Sequence, residues 1–253
     1  MQQDGSSHVA FIVVRPQFLG NIGSIARLLK NFGFRDLRFV EPPRKYKDAE
    51  ARKMAVAAFD LLKNSTTFKT LAEAIADLNI VIGTTSGQQR KEKLRDLSNL
   101  AGELRELKNT RIGVVFGDEI DGLRKEELLL CQILVRIPTD PEFPALNLAQ
   151  AAGIVAYEMR KTFEHHQNDG NESSLEPPLV SEVNELFEQL SLFLERVEFA
   201  RERNKGQVLN DLKQFYYRAK ASKRETDLLR GIIRKLNGAL NEPTTDTCGI
   251  SEP

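Results

Sequence analysis

The chain has 253 residues, and its 36 Lys and Arg residues balance its 36 Asp and Glu residues, so overall charge excludes no class of partner. No apolar run reaches the ~20 residues of a membrane helix, and residues 1–7 lack the apolar segment of a signal peptide. Cys131 and Cys248 are far apart and lack metal-ligand spacing, which argues against a disulfide framework or a zinc site. We therefore expect a cytoplasmic protein of one large or two modest domains, with no bound metal.

The first part of the chain alternates predicted strands and helices. Short apolar runs predict buried strands at 9–14, 37–40, 79–82, 114–116 and 133–137. Apolar residues at helical spacing predict helices at 22–32, 49–63, 71–78 and 147–161. Residues 88–96 are polar and basic and are interpreted as a loop, and 97–107 are weakly helical. This alternation predicts an α/β domain over 1–163, with a parallel sheet covered by helices on both faces.

The composition changes after residue 163. Residues 164–179 are polar and contain a double proline, which is typical of a linker. Residues 180–241 show only helical periodicity, and Ser222 and Glu225 form a capping box that begins the last predicted helix. The remaining residues, 242–253, are rich in Pro, Thr and Gly and are predicted to be disordered.

Charge is sorted within the helical region. Residues 164–200 carry nine acidic residues and one basic residue, whereas residues 201–235 carry eleven basic residues and four acidic ones. A basic segment that also contains aromatic residues is typical of a surface that binds nucleic-acid phosphates, and four residues represent it: Arg218, Lys220, Lys223 and Arg224. The alternative is a solvated helical face whose charges pair with the preceding acidic helix.

Three loops at predicted strand ends are the candidate ligand site, because ligands of parallel sheets bind at the carboxyl ends of strands. They are Gly83–Gly87, Gly117–Leu123 and Ile137–Asn147. None contains the dinucleotide fingerprint or a Walker A loop. Each histidine lies outside these loops, which argues against histidine general-base catalysis; the three are His8, His165 and His166.

Three motifs occur in order over most of 8–161. The first is Asn21 with Arg27 six residues later, and the second is Phe116-Gly-Asp-Glu-Ile-Asp-Gly-Leu123. The third is a Pro-rich strand end leading through Leu146-Asn147 to Tyr157-Glu158. Together, at matching separations, they resemble the SpoU class of knotted RNA 2′-O-ribose methyltransferases, a part of the SPOUT group. The third motif and the last helices look closest to the TrmJ branch, which modifies nucleotide 32 in the tRNA anticodon loop.

The resemblance implies a Rossmann-like α/β domain with a deep trefoil knot, a homodimer with active sites at the interface, and S-adenosyl-L-methionine as cofactor. It implies tRNA as the substrate and the small all-α extension as an RNA-binding domain. Carried over by position, the cofactor contacts are Thr84, Thr85, Ser86, Gly117, Glu119, Ile137, Ala145, Leu146 and Asn147.

The resemblance also assigns catalysis to Arg27 and Asn21. A protein arginine is a poor base, so we expect Arg27 to hold a substrate phosphate and stabilise developing negative charge, with Asn21 orienting it. Many members of the class have Ser where this chain has Ala145, so any role of that hydroxyl is absent here. Two alternatives stay open: ribosomal RNA as the substrate, and a knotted RNA-binding module without catalysis.

Overall fold

The computed structural model describes residues 8–86, 94–100, 110–164, 176–200 and 203–240. Its seven strands form one sheet in which every neighbouring pair is parallel, in the order β3-β2-β1-β6-β4-β7-β5. The strands are β1 (Val9–Val14), β2 (Asp36–Val40), β3 (Thr66–Phe68), β4 (Ile80–Thr84), β5 (Arg95–Asp96), β6 (Ile112–Phe116) and β7 (Ile133–Arg136).

Helices follow the strands, and the predicted α/β class with a parallel sheet is confirmed. The first unit of the chain contains α1 (Leu19–Asn31), α2 (Ala49–Ala55), α3 (Phe59–Lys63), α4 (Leu71–Ile75), α5 (Lys125–Leu128) and α6 (Leu148–Glu164). Three helices end the described chain: α7 (Val180–Arg196), α8 (Lys205–Ala219) and α9 (Lys223–Ala239).

The sheet is buried on both faces, as continuous apolar strands require. All residues of β1 and β6 are buried. On one face, α1 and α6 pack against the sheet through residues such as Ile25 and Val155. On the other face, α4 contributes Leu71 and Ile75 to a second cluster. Two covered faces hold the strands rigidly, so the loops at their carboxyl ends are presented in fixed positions.

Three local predictions were wrong. The helix over 49–63 is broken after Ala55, because Val56 has a left-handed φ of 51° and starts a 3-10 turn. Strand β3 was missed because Thr66 and Thr67 are exposed and give no apolar run. Strand β5 lies inside the predicted loop 88–96, where two polar residues pair with β7. Residues 87–93, 101–109, 165–175 and 241–253, with the predictions made for them, lie outside the described residues.

The chain divides into two compact units, Met1–Ser181 and Glu182–Pro253. The end of the predicted linker belongs to the first unit, since Asn79 Nδ2 donates to the carbonyl oxygens of Pro177 at 3.0 Å and Pro178 at 3.2 Å. The backbone N–H of Val180 donates to the Leu78 carbonyl at 2.7 Å, and the Val180 side chain is buried in that unit's core. A cut that preserves the first unit therefore falls after Ser181.

The second unit has a small core of its own, which includes Leu186, Phe187 and Ile233. The predicted capping box is confirmed: Ser222 accepts from the Glu225 N–H at 3.3 Å, and Glu225 accepts from the Ser222 N–H at 2.8 Å. Among the described residues, no helix is long and apolar enough to cross a membrane.

Candidate active site

One cleft of about 190 Å³ lies at the carboxyl ends of β4, β6 and β7. The three loops that the sequence singled out form its walls. Eight of the predicted cofactor residues line it: Thr84, Thr85, Ser86, Gly117, Glu119, Ile137, Ala145 and Leu146. Asn147 does not line this cleft, and lines a second cleft together with Asn21 and Arg27.

The β6 loop, Gly117–Leu123, is folded back on itself. Asp118 Oδ1 accepts the backbone N–H groups of Ile120 at 3.0 Å and Asp121 at 2.7 Å, and Gly122 takes a left-handed φ of 68°. A Cβ on Gly117 would lie 2.0 Å from the carbonyl carbon of Gly122. The group that approaches Gly117 so closely is the other end of its own loop.

The two other loops are also held by hydrogen bonds. Thr84 Oγ1 donates to the Val115 carbonyl at 3.0 Å, and the Thr85 N–H donates to the Val135 carbonyl at 3.0 Å. In the Pro-rich loop, Thr139 Oγ1 donates to the Pro144 carbonyl at 3.1 Å. The first two bonds tie the loop after β4 to the neighbouring strands β6 and β7, and the third closes the Pro-rich loop on itself.

Glu119 joins the cleft to the start of α1. Its carboxylate accepts the backbone N–H groups of Gln17 at 2.9 Å and Phe18 at 3.2 Å, and the side-chain amide of Asn21 at 2.8 Å. Asn147 Nδ2 donates to Asn21 Oδ1 at 3.0 Å. The sequence did not predict that the N–H groups of Gln17 and Phe18 bind Glu119, because the type of a residue does not show which partner its backbone N–H group has.

Arg27 lies on the next turns of α1 and lines the second cleft, which has a volume of about 790 Å³. Its side chain is exposed, and it has no hydrogen bond or ion pair with another described residue. The same cleft includes Asn31, Phe32 and Tyr157. The Arg27 guanidinium therefore has no partner among the described residues and lies in a cleft that Asn21 also lines. Asn21 in turn contacts Glu119 of the β6 loop.

Arg15 is a charged residue that the sequence analysis missed. Its guanidinium forms ion pairs with Asp118 at 3.3 Å and with Glu127 on α5. Proximity to Glu127 raises the pKa of Arg15 above its ordinary value, although burial opposes this. Burial raises the pKa of Asp118, but hydrogen bonds from Asp121, Ile120 and Arg15 outweigh it and leave the pKa lowered. No pattern in the sequence marks an arginine that simply follows a strand.

The four predicted RNA-binding residues lie at the junction of α8 and α9 and divide into two kinds. Arg218, Lys220 and Arg224 are exposed and have no ion pair with another described residue. Lys223 instead forms an ion pair with Glu182 of the acidic helix at 3.6 Å. Arg230 pairs with Glu185 of the same helix, so pairing accounts for part of the basic segment and leaves Arg218, Lys220 and Arg224 among its cations without an ion pair to another described residue.

Comparison with known families covers both units. Residues 8–157 match the SpoU rRNA Methylase family, and residues 181–245 match the C-terminal domain of the tRNA methyltransferase TrmJ. The chain is 34% identical over 241 residues to the "tRNA (cytidine/uridine-2′-O-)-methyltransferase TrmJ" of Shigella dysenteriae, covering 90% of this chain and 95% of the relative. The protein of the same name from Escherichia coli K12 is 34% identical over the same lengths.

Solved structures of methylase family proteins are also similar to this chain. The crystal structure of TrmJ from Z. mobilis ZM4 superposes with a TM-score of 0.77 at 29% identity, covering 90% of this chain and 98% of that chain. A methylase family protein from Haemophilus influenzae Rd KW20 superposes with a TM-score of 0.61 at 29% identity, over 93% and 98% of the two chains.

Proposed function

Since the chain belongs to the SpoU rRNA Methylase family, we propose that it is an S-adenosyl-L-methionine-dependent methyltransferase acting on ribose 2′-hydroxyls of tRNA. The inference that tRNA is the substrate rests on the match of the second unit to the TrmJ C-terminal domain, in addition to the family match of the first unit. The motifs of the TrmJ branch point to nucleotide 32 of the anticodon loop. Action on tRNA agrees with a cytoplasmic enzyme.

The chemistry of the first cleft fits this cofactor. One wall is apolar, with Ile137, Leu146 and Leu148, and suits an adenine ring. The β6 loop contributes Asp121 to the lining, and its carboxylate has no ion pair with another described residue and suits a cationic ligand. When bound, S-adenosyl-L-methionine supplies an electrophilic methyl group on a sulfonium centre.

Arg27 is the proposed catalytic residue. A guanidinium remains protonated in proteins, so it cannot serve as a general base and instead presents several N–H donors in a fixed plane. It holds a phosphate next to the reacting ribose and stabilises the negative charge that develops on the 2′-oxygen. The proton leaves to the phosphate or to water. Asn21 contributes by orienting this helix, since its amide is bound to Glu119 and Asn147.

We also propose a homodimer whose interface covers the face around Arg27. Three large apolar side chains on that face are exposed in the single chain: Met54 is 43% exposed, Ile154 38% and Tyr157 50%. A second copy that covers them would complete the substrate site at the interface. The knot that accompanies this fold in the family is likewise a proposal, supported by the motif resemblance.

The test is methyl transfer from radiolabelled S-adenosyl-L-methionine to tRNA transcripts that differ at one atom. A tRNA with an ordinary ribose at nucleotide 32 should accept the label, and the same tRNA with 2′-deoxyribose at that position should not. Equal labelling of both would place the reaction at another nucleotide. Labelling of ribosomal RNA alone would replace the proposed substrate, and cofactor binding without any labelling would indicate a non-catalytic module.

A further inference from the structure

We propose that Arg15 is a positioning residue that holds the β6 loop in shape and thereby sets the affinity of the cleft for its cofactor. This inference rests on the proposed function, because it names a determinant of cofactor binding. Arg15 itself does not line the cleft. The loop that it holds does, with every residue from Phe116 to Leu123.

The guanidinium of Arg15 contacts both ends of the loop and the helix after it. Nη2 donates to Asp118 Oδ2 at 3.3 Å, to the Gly122 carbonyl at 3.4 Å and to Glu127 Oε2 at 3.1 Å, and Nη1 donates to the other oxygen of Glu127. Asp118 and Gly122 also pair across the loop, where the Gly122 N–H donates to the Asp118 carbonyl at 3.2 Å. One side chain therefore closes the loop into a ring and fastens it to α5.

The Arg15 backbone is fixed as firmly as its side chain. Its φ of 49° lies in the left-handed region, which residues with a Cβ rarely adopt. Its N–H donates to the Val40 carbonyl of β2 at 2.8 Å. A strained residue of this kind persists where the surroundings determine it, and such residues concentrate around ligand sites. The sheet thus holds the Arg15 backbone in a fixed position, and the guanidinium holds the loop in place relative to the sheet.

The partners of Arg15 have no other cation among the described residues. The side chains of Asp118 and Glu127 are 5% and 13% exposed. Without Arg15, Asp118 Oδ2 becomes a nearly buried charge without a donor, and the loop has to open so that water reaches it. This opening of the loop moves Glu119 and Asp121 and so changes the shape of the cleft, although every residue that lines the cleft is still present.

The test compares single and paired substitutions. Arg15→Ala should weaken S-adenosyl-L-methionine binding, measured by isothermal titration, by about tenfold or more, because a buried charged group loses its partner. In the double variant Arg15→Glu with Glu127→Arg, one arginine again lies between two carboxylates, and neither substituted position lines the cleft. Binding should return to within about threefold of wild type. Each single reversal should be as weak as Arg15→Ala or weaker.

The matched control is Arg38→Ala. Arg38 is also a buried arginine between two carboxylates, Asp36 at 2.7 Å and Asp77 at 2.6 Å, but it lies on β2 away from the cleft. It should lower the melting temperature while cofactor affinity stays at the wild-type value. The proposal is overturned if Arg15→Ala and Arg38→Ala both lose cofactor affinity in proportion to their loss of stability. It is also overturned if the double variant binds the cofactor no more tightly than the single reversals.

Hydrogen exchange of the ligand-free protein separates this proposal from the proposed function. The amides of Ile120, Asp121 and Gly122 should exchange faster in Arg15→Ala and slow again in the double variant. Unchanged exchange overturns the positioning role, even if affinity falls. A wild-type protein that does not bind S-adenosyl-L-methionine overturns the proposed function, and the affinity part of this inference with it.

Discussion

The carboxylate of Glu119 accepts the side-chain amide of Asn21 at 2.8 Å, although 98 residues separate them in the chain. Glu119 lines the first cleft, and Asn21 begins the helix turn that leads to Arg27. This one contact connects the loop of the proposed cofactor site to the helix of the proposed catalytic arginine. The two clefts are therefore coupled through a hydrogen bond that a single substitution can remove.

Replacing Glu119 by Ala should reduce kcat by roughly a hundredfold, because a displacement of about 1 Å in a positioned group has an effect of that size. The substitution removes the acceptor of three N–H groups at the start of α1. Steady-state methylation kinetics measure the change. Glu126, an exposed glutamate on α5, supplies the matched control, and Glu126→Ala should be unaffected. Equal rates in both variants would contradict the coupling.

Arg27→Ala should abolish methyl transfer while S-adenosyl-L-methionine affinity stays nearly unchanged. The reason is that Arg27 lines the second cleft and does not line the first. Single-turnover assays and isothermal titration measure the two effects separately. Arg35→Ala removes a similarly exposed arginine from the turn after α1 and should behave as wild type. Full turnover by the Arg27 variant would exclude the proposed mechanism.

Gly117→Val should block cofactor binding and lower stability by about 1–3 kcal/mol, the usual effect of overpacking. Even the first carbon of the side chain would overlap the Gly122 backbone, so the loop has to refold. Calorimetry of cofactor binding and a thermal melt measure both effects. Gly206→Ala is the control, since a Cβ there meets no atom within 4 Å. Wild-type affinity in the valine variant would contradict the geometry of the β6 loop.

The Arg38 ion-pair cluster should make the protein sensitive to acid. Burial raises the pKa of Asp77, but the hydrogen bond and charge of Arg38, and the charge of Arg111, outweigh it and leave the pKa below its ordinary value of 3.8. A lowered folded-state pKa contributes stability that is complete above the ordinary value and is lost as pH falls through the lowered one. Denaturant unfolding between pH 5 and about 2 should therefore show a steeper loss in wild type than in Asp77→Asn. Parallel curves would remove this carboxylate from the acid response.

The free cations of the second unit should contribute to tRNA binding, and the paired ones to stability. Each phosphate contact changes the slope of log affinity against log salt by roughly −0.7 to −0.9. Reversing Arg218, Lys220 and Arg224 to Glu should therefore flatten the slope by about 2 units with little change in melting temperature. The control, Arg230→Glu, breaks a pair with Glu185 and should lower the melting temperature without changing the slope. The opposite pattern would exclude this surface from RNA binding.

Five of the seven described strands, most of the helices and the loops that form the cleft could be predicted from the sequence, because burial on a regular element gives a periodic pattern of apolar residues. β1 and β6 are continuous apolar runs, and the Ser222 capping box marks the start of α9 with local chemistry. The three loops that the sequence selected at strand ends also line one cleft, with eight of the predicted cofactor residues. These features depend on neighbours within a few positions along the chain.

Other features were decided by tertiary structure alone, because they depend on groups that are distant in sequence. Arg15 acquires its role from Asp118 and Glu127, which are more than 100 positions away. The division of the basic segment into paired Lys223 and free Arg218 depends on where Glu182 lies after folding. The type of a residue determines which bonds its side chain is able to form. The fold decides which partners come within 3 to 4 Å, the range in which a charge forms a hydrogen bond or an ion pair.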